Sequence, residues 1–181
     1  KNNFTGMIID LRNNPGGLIT SVADVADKFI DSGIIVSTKS RISEAASVYT
    51  ATPDATTMPK GIPIVVLINK GSASASEILA GALKDYHLAY LVGERTYGKG
   101  SVQQVIPLYN ADGVKLTMAR YYTPSDVNID KIGIPPDMEV KVPDLTEEQE
   151  KSYVELINKA EIEKYVEEHP NMNEHDIAVY A

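Results

Sequence analysis

The 181-residue chain has no cysteine, no long hydrophobic run and no excess of basic residues. Without cysteine, disulfide scaffolds, thiol nucleophiles and cysteine-based zinc or iron–sulfur sites are excluded. The longest apolar runs fall well short of the roughly 20 residues that a membrane-spanning helix needs. A formal net charge of −8 offers no basic surface to a nucleic-acid backbone. These absences leave a globular domain that is long enough to bury its own core.

The negative charge is confined to the end of the chain. Residues 1–143 contain 14 Lys and Arg against 14 Asp and Glu, whereas residues 144–181 contain 3 against 11. Thr146, with Gln149 three residues later, forms a capping-box pattern, and Val154, Ile157 and Ile162 continue an apolar stripe. We therefore expect two parts: a core over residues 1–143 and an acidic helical tail over residues 144–181.

The chain opens as KNNFTGMIID, without an initiator methionine or a signal-like segment. Its first apolar run, Met7 to Leu11, comes so early that its sheet neighbours are expected upstream. The sequence is therefore interpreted as a fragment of a longer protein, and the missing signal peptide says nothing about compartment.

Two segments follow the same order of strand, tight turn and helix. The first is GMIIDL, then NNPGG, then a helix; the second is GIPIVVLIN, then KG, then the helix SASASEILAGALKDYH. Each helix has apolar residues at helical spacing that predict a buried face: Val22, Val25, Ala26, Phe29 and Ile30 in the first, and Ile78, Leu79, Ala82, Leu83 and Tyr86 in the second. Apolar strands that alternate with helices predict an α/β fold with a mainly parallel sheet flanked by helices. Residues 90–93 are predicted as the next strand, residues 40–59 as a hairpin or lid, and residues 103–122 as a hairpin around Asp112-Gly113.

The densest chemical signal is Gly71-Ser-Ala-Ser-Ala-Ser-Glu77, at the predicted start of the second helix. Small residues let a substrate backbone approach closely, and the free N–H groups at a helix N-terminus can bind a developing oxyanion. A serine hydroxyl there is well placed for nucleophilic attack. The competing interpretation is that one of these serines simply caps the helix.

A serine nucleophile needs a base, and the three histidines are poorly placed to supply one. His87 lies at the far end of the same helix, and His169 and His175 belong to the acidic tail. A lysine can take this role, because desolvation in an apolar pocket lowers a lysine pKa towards neutrality. The candidate is Lys99 in VGERTYGKGSVQQ, between two glycines, although this segment by itself also fits a solvent-facing turn.

Taken together, GMIIDLRNNPGG, NKGSASASEILAGALKDY and VGERTYGKGSVQ resemble the C-terminal processing peptidases, also called tail-specific proteases. These are serine peptidases with a Ser/Lys dyad, and the resemblance covers about residues 6–142. It implies a ClpP/crotonase-like α/β core, with residues 1–143 as the C-terminal part of the catalytic core. It implies no cofactor and no metal.

Carried over residue by residue, the resemblance implies Ser74 as nucleophile, Lys99 as general base and Gln103 as the hydrogen-bond partner of that lysine. It places the oxyanion hole at the N–H of Ala75 and at that of Gly16 or Gly17, with a slight preference for Gly16.

The remaining polar residues receive structural interpretations: Ser72 and Ser76 as caps or packing, Asp10 and Arg12 as a polar network, Glu77 as a candidate for orienting nearby backbone, and Asp85 as a local cap or pair. In TPSDVN, Asp126 stands where the family usually has glycine, which leaves the conformation of that loop open.

The resemblance further implies cleavage of extended or unfolded proteins near their C-termini through an acyl-enzyme. An upstream PDZ domain, a possible homo-oligomer and an extracytoplasmic location are expected on the same basis. Two alternatives stay open: a non-catalytic ligand-binding module on the same fold, and an assembly scaffold that docks partners through the acidic tail. A pure binder has no reason to retain Ser74, Lys99 and Gln103 together, which favours the peptidase.

Overall fold

The computed structural model describes residues 4–41, 46–53, 55–109, 112–141, 146–158, 164 and 167–169. The chain divides into two units, Lys1–Lys141 and Val142–Ala181. In chain order, the elements of the first unit are β1 (Met7–Asp10), α1 (Ile19–Ala26), β2 (Ile34–Lys39), β3 (Ser47–Thr50), β4 (Ile64–Ile68), α2 (Ala75–Asp85), β5 (Tyr90–Gly93), β6 (Ser101–Pro107), β7 (Gly113–Tyr122) and β8 (Met138–Glu139). The second unit contains α3 (Glu147–Asn158).

The strands of the first unit form two four-stranded sheets. One has the order β1-β4-β5-β8 and is parallel throughout, with Met7 opposite Ile64 and Val65 opposite Tyr90. The other has the order β3-β2-β7-β6 and is antiparallel. The predicted α/β class with a parallel sheet and helices is confirmed. The hairpin predicted within residues 103–122 is also present, as the β6–β7 pair.

Helix α2 forms the centre of the core. Every residue from Ala75 to Leu83 is buried, including the predicted apolar stripe, and Tyr86 is half-buried. The core around it consists of aliphatic side chains from the strands and from α1, among them Val66, Ile68 and Leu91. Burial on all sides fixes the position of this helix, and therefore the position of the turn from which it starts.

Helix α1 differs from its predicted pattern. It ends at Ala26, whereas the pattern extends to Ile30, and Val25 is 46% exposed although it was placed on the apolar face. Val22, Ala26 and Ile30 are buried as expected. The helix is only two turns long, so a stripe read at constant helical spacing overestimates the width of its buried face.

In the second unit, the predicted capping box of α3 is present. The Thr146 N–H donates to Gln149 Oε1 at 2.9 Å, and the Gln149 N–H donates to Thr146 Oγ1 at 3.2 Å. The predicted stripe is only partly testable, because Val154 is exposed and the side chains of Ile157 and Ile162 lie outside those described. Among the described residues, no helix has both the length and the apolarity needed to cross a membrane.

Candidate active site

Three turns meet at the carboxyl edge of the parallel sheet. One follows β1 and contains Asn14, Gly16 and Gly17; the second follows β4 and leads into Ser74; the third follows β5 and carries Lys99. The parallel registers of β1, β4 and β5 bring these turns to the same edge. This is the edge at which open α/β sheets bind their ligands.

Ser74 has an unusual backbone. Its φ and ψ angles are 58° and −116°, a region that favours glycine and costs other residues of order 1–3 kcal/mol. The residue stands immediately before α2, at a strand-to-helix turn, and it is the only one from Ser72 to Leu83 that is not buried. A strained, accessible serine in this position is the arrangement expected of a nucleophile.

The two neighbouring serines have structural roles, as the sequence predicts. The Ser72 hydroxyl donates to Leu11 O at 2.7 Å and accepts from the Asn69 N–H at 3.0 Å, and its side chain is fully buried. The Ser76 hydroxyl donates to Asn14 O at 3.1 Å. Both hydroxyls therefore tie the second turn to the first.

Gly16 packs directly against the nucleophile turn. It has a φ of 93°, and a Cβ built on it would lie 2.6 Å from Ala75 N and 2.9 Å from Ser74 Cβ. No larger residue fits there, so the first turn is held in contact with the start of α2. The structure thus brings Gly16 next to Ala75, as the predicted oxyanion hole requires.

The amide of Gly16 is already engaged, because it donates to Asn14 Oδ1 at 2.9 Å. In the described part of the chain, the N–H groups of Gly17 and Ala75 donate no hydrogen bond. The slight preference for Gly16 over Gly17 as a hydrogen-bond donor in the oxyanion hole is therefore not supported by the hydrogen bonding of this turn.

Glu77 links the serine turn to the lysine turn. Its carboxylate is fully buried and accepts four hydrogen bonds: from the Ser74 N–H at 2.8 Å, the Thr96 hydroxyl at 2.5 Å, the Gly98 N–H at 2.7 Å and the Lys99 N–H at 2.8 Å. The Tyr97 N–H adds a bond to Ser72 O at 3.0 Å. One buried carboxylate therefore fixes the backbone at both candidate catalytic residues.

Lys99 is held by the two glycines that flank it. A Cβ on Gly100 would lie 2.2 Å from Asp130 N, and one on Gly98, whose φ is 88°, would lie 3.0 Å from Lys131 C. The Lys131 N–H also donates to Gly98 O at 2.8 Å. The backbone of residues 129–132 thus presses against the Lys99 turn where only glycine leaves room.

The side chain of Lys99 does not meet the expectation of a desolvated base. It is exposed, as is that of Gln103, and among the described residues no hydrogen bond joins Lys99 to Ser74 or to Gln103. Gln103 directly follows an irregularity in the β6–β7 register, which falls between Val102 and Gln103. Glu77 holds the Lys99 N–H at 2.8 Å, so this turn is fixed through its backbone while its side chain stays exposed.

Sequence reasoning missed Thr96 and the asparagines that join the first two turns. Asn69 Oδ1 accepts from the N–H groups of Asn13 and Gly71, both at 2.9 Å, and its amide donates to Asn13 Oδ1 at 2.9 Å. The Ala73 N–H donates to Asn14 O at 3.0 Å. The sequence did contain a signal for the asparagines, because polar residues directly after two predicted strands converge at one edge of a parallel sheet.

Beside the first turn, Asp10 and Arg12 form the expected polar network. The hydrogen bonds that Arg12 donates hold the pKa of Asp10 below its usual value. Both side chains are exposed, so this pair contributes little to stability. No cluster of three or more histidine, aspartate or glutamate side chains that could hold a metal ion occurs in the part of the chain that the structure describes.

Comparison with known proteins shows the family of the chain. A profile of peptidase family S41 matches residues 1–140, and the chain belongs to this family. It is 44% identical over 161 residues to a carboxy-terminal-processing protease of Bartonella bacilliformis, a match that covers 89% of this chain and 36% of that protein. It is 42% identical over 142 residues to a chloroplastic C-terminal processing peptidase of Tetradesmus obliquus, covering 77% of this chain and 30% of that protein.

Among solved structures, a photosystem II D1 C-terminal processing protease superposes with a TM-score of 0.67 at 43% identity. That match covers 76% of this chain and 35% of the other. The chain thus spans about a third of the length of the curated relatives it matches.

Proposed function

We propose that the chain forms the catalytic core of a serine endopeptidase that cleaves extended or unfolded proteins near their C-termini. The observation that carries this proposal is the backbone of Ser74, whose positive φ presents an accessible serine beside Gly16 and the free Ala75 N–H. Relatives named C-terminal processing proteases support the substrate class.

In this mechanism neutral Lys99 accepts the Ser74 proton while Oγ forms a bond to the peptide carbonyl carbon. The Ala75 and Gly17 N–H groups hold the oxyanion. As the C–N bond breaks, the Lys99 ammonium gives its proton to the leaving amine. Water then attacks the acyl-enzyme, Lys99 accepts its proton and returns one to Ser74 Oγ, and the new carboxylate leaves. Because the Lys99 side chain is exposed, this mechanism requires that the bound substrate exclude water from it.

Covalent labelling tests the dyad directly. A fluorophosphonate reagent is expected to phosphonylate Ser74, and Lys99→Met, which keeps the chain length but removes the base, is expected to slow labelling about 10²–10⁴-fold. Mass spectrometry of the labelled peptide identifies the residue, and Lys131→Met is the matched control. Labelling of Ser74 at the same rate in both variants would refute the role of Lys99.

A folded wild-type protein in which Ser74 is not labelled at all would instead favour the alternative of a non-catalytic binding module. The observation on its side is the absence of a hydrogen bond from Lys99 to Ser74 or Gln103 in the described part of the chain.

The assignment of Gly17 to the oxyanion hole is tested by removing its N–H. Gly17→Pro is expected to lower kcat about 10²–10³-fold, the usual effect of losing one such donor. Gly17→Ala keeps the N–H, and a Cβ there meets no atom within 4 Å, so its loss is expected to be less than about tenfold. Equal activities of the two folded variants, measured as peptide cleavage, would return the assignment to Gly16.

The resemblance also supports proposals about the longer protein. These are a PDZ domain upstream of the core, self-association, and a location outside the cytoplasm; relatives from Tetradesmus obliquus and Arabidopsis thaliana are named chloroplastic. The division into a core over residues 1–143 and a docking tail over residues 144–181 likewise stays a prediction.

A further inference from the structure

A cavity of about 830 Å³ lies at the amino edge of the parallel sheet, the edge opposite to the one that carries Ser74. Its wall contains the residues that lead into β4, the first residues of β4 and β5, and the end of α2. The volume falls within the usual range of small-molecule sites, about 300–1,000 Å³. This space, called the amino-edge cavity below, has no part in the proposed peptidase mechanism.

The wall of the amino-edge cavity has an apolar part and a polar part. The apolar part includes Ile62, Pro63, Val65, Leu88 and Tyr90. The polar part comes from the end of α2, from the turn after it and from segments that follow β7: Lys84, Asp85, His87, Ser125 and Asp137. A ligand that fills this cavity therefore needs an apolar body and a polar head.

Two charges of the polar part, those of Lys84 and Asp137, neutralise each other. Lys84 Nζ lies 2.8 Å from Asp137 Oδ1 and also donates to Pro135 O at 2.7 Å. Partial burial raises the pKa of Asp137, but the hydrogen bond and charge of Lys84, together with the charge of His87, hold this pKa below its ordinary value. Lys84 and His87 therefore both act on Asp137.

Asp85 is the carboxylate of this wall that has no such partner. Its Oδ2 accepts from the Ser125 N–H at 2.8 Å and from the Ser125 hydroxyl at 2.6 Å, and among the described residues no cationic side chain forms an ion pair with it. Asp85 is also the last residue of α2, where the negative end of the helix dipole disfavours a carboxylate. A cation bound here would relieve both unfavourable interactions.

We propose that the amino-edge cavity binds an organic cation, an ammonium or guanidinium group on a short aliphatic stem. The cationic head pairs with the Asp85 carboxylate, and the stem lies against the apolar wall at Leu88 and Tyr90. The same head and stem occur in free alkyl amines and guanidines and in the lysine and arginine side chains of proteins. This site is separate from Ser74 and does not depend on the proposed peptidase activity.

Other kinds of ligand fit this cavity less well. The wall holds two carboxylates, one ammonium and one imidazole, and an anion would have to draw Lys84 away from Asp137. An uncharged apolar ligand would remove water from Asp85 without replacing it by a partner, which is unfavourable. The charge of the wall therefore favours a cation.

The test measures the binding of butylguanidinium to the full-length protein by ligand-observed NMR. Wild type is expected to bind it with a Kd of about 10 mM or lower. Asp85→Asn keeps an oxygen that can accept from Ser125, and it is expected to weaken binding at least about tenfold, because a hydrogen bond to a charged group is lost. Pentanoate, an anion with a similar stem, is expected not to bind.

Asp27→Asn is the matched control for Asp85→Asn. Asp27 directly follows α1, as Asp85 ends α2; it accepts from the Thr52 N–H at 2.6 Å and does not line the cavity. Its substitution is expected to leave the affinity for butylguanidinium unchanged. Tyr90→Ala changes a side chain of the apolar wall that is 52% exposed, and it is expected to weaken binding about two- to fivefold.

Binding by wild type and Asp27→Asn that is lost in Asp85→Asn supports the proposal. A folded wild-type protein that does not bind butylguanidinium, or that binds it no better than Asp85→Asn does, overturns it. A blocked peptide with a single arginine identifies the source of the cation. Asp85-dependent binding that is tighter for the peptide than for butylguanidinium supports a protein side chain as the ligand, whereas tighter binding of butylguanidinium supports a free cation.

Discussion

Replacing Ser74 with alanine is expected to abolish cleavage of an unfolded protein substrate, with kcat falling roughly 10⁶-fold, as when other serine peptidases lose their nucleophile. The physical reason is that no acyl-enzyme can form without Oγ, so only substrate binding and the oxyanion donors remain. The measurement is the initial rate of fragment release at saturating substrate.

A glycine at position 74 is expected to make the protein more stable than an alanine there. Because Ser74 has a φ of 58° and a ψ of −116°, Ser74→Gly relieves backbone strain that Ser74→Ala retains. We expect the glycine variant to be more stable than the alanine variant by about 1–2 kcal/mol in chemical denaturation, with both inactive. A stability gain at the cost of activity is typical of a strained functional residue.

The control for Ser74 is Ser76→Ala. Ser76 lies in the first turn of α2, is buried and donates to Asn14 O, so its substitution removes one structural hydrogen bond, worth about 1 kcal/mol, and leaves the nucleophile in place. A Ser76→Ala variant that lost as much activity as Ser74→Ala, while folded, would contradict the assignment of Ser74.

Glu77 is expected to show the largest combined effect on folding and catalysis. Glu77→Ala leaves four donors without their acceptor, and we expect it to lower the free energy of unfolding by about 4 kcal/mol or more. In Glu77→Gln, an amide NH₂ must face two of those donors, either the pair on Oε1 or the pair on Oε2. We expect a loss of about 2–3 kcal/mol from this substitution, measured by denaturant unfolding.

The catalytic effect of Glu77→Gln separates a positioning role from a purely structural one. Below the unfolding transition, we expect kcat and the labelling rate of Ser74 to fall at least tenfold while KM changes little, because both dyad backbones depend on this carboxylate. Glu94→Gln is the matched control: among the described residues Glu94 forms one ion pair, with the exposed Lys70 at 3.4 Å, and the substitution should change stability by less than about 1 kcal/mol. A folded Glu77→Gln variant with wild-type kcat would exclude the positioning role.

Local patterns predicted the elements well because each one depends on neighbours in sequence. The stripe of α2, the hairpin around Asp112-Gly113 and the Thr146 capping box each follow from residues no more than a few positions apart. Helix α1 was predicted less well because its buried face depends on what it packs against. Val25 lines a surface pocket next to Gly16, Gly17 and Leu18, which helical spacing cannot show.

In the candidate site, too, some features could be predicted from the sequence and others could not. The family resemblance implied that Ser74, Ala75 and Gly16 belong to one site, and the structure places them together at one edge of the parallel sheet. The bonds that hold this edge together join residues far apart in the chain: Asn14 with Ser76, and Glu77 with Lys99. Such pairings have no periodic signature. Glu77 was only a candidate for orienting nearby backbone, and its contact with Lys99 was not anticipated.

Asp126 departs from the family pattern but still adopts a backbone conformation that favours glycine. Glycine is usual there in the motif that the sequence resembles, and Asp126 nevertheless adopts a φ of 65°. Aspartate tolerates this left-handed region better than most residues, and here it also pairs with Lys39 at 2.5 Å. The Asp85 carboxylate, predicted to pair locally, instead accepts from the Ser125 N–H at 2.8 Å and steadies the same loop.

The glycines beside Lys99 contact the backbone of residues 129–132, and not their side chains. The shape of the lysine turn therefore depends on the path of that passing segment. Substitutions at Asp130 or Lys131 that keep this path are expected to leave Lys99 in position. An insertion or deletion of one residue would instead shift the segment by about 3.3–3.6 Å and displace the base. The lysine turn is thus more sensitive to a change in the length of this segment than to a substitution that keeps its path.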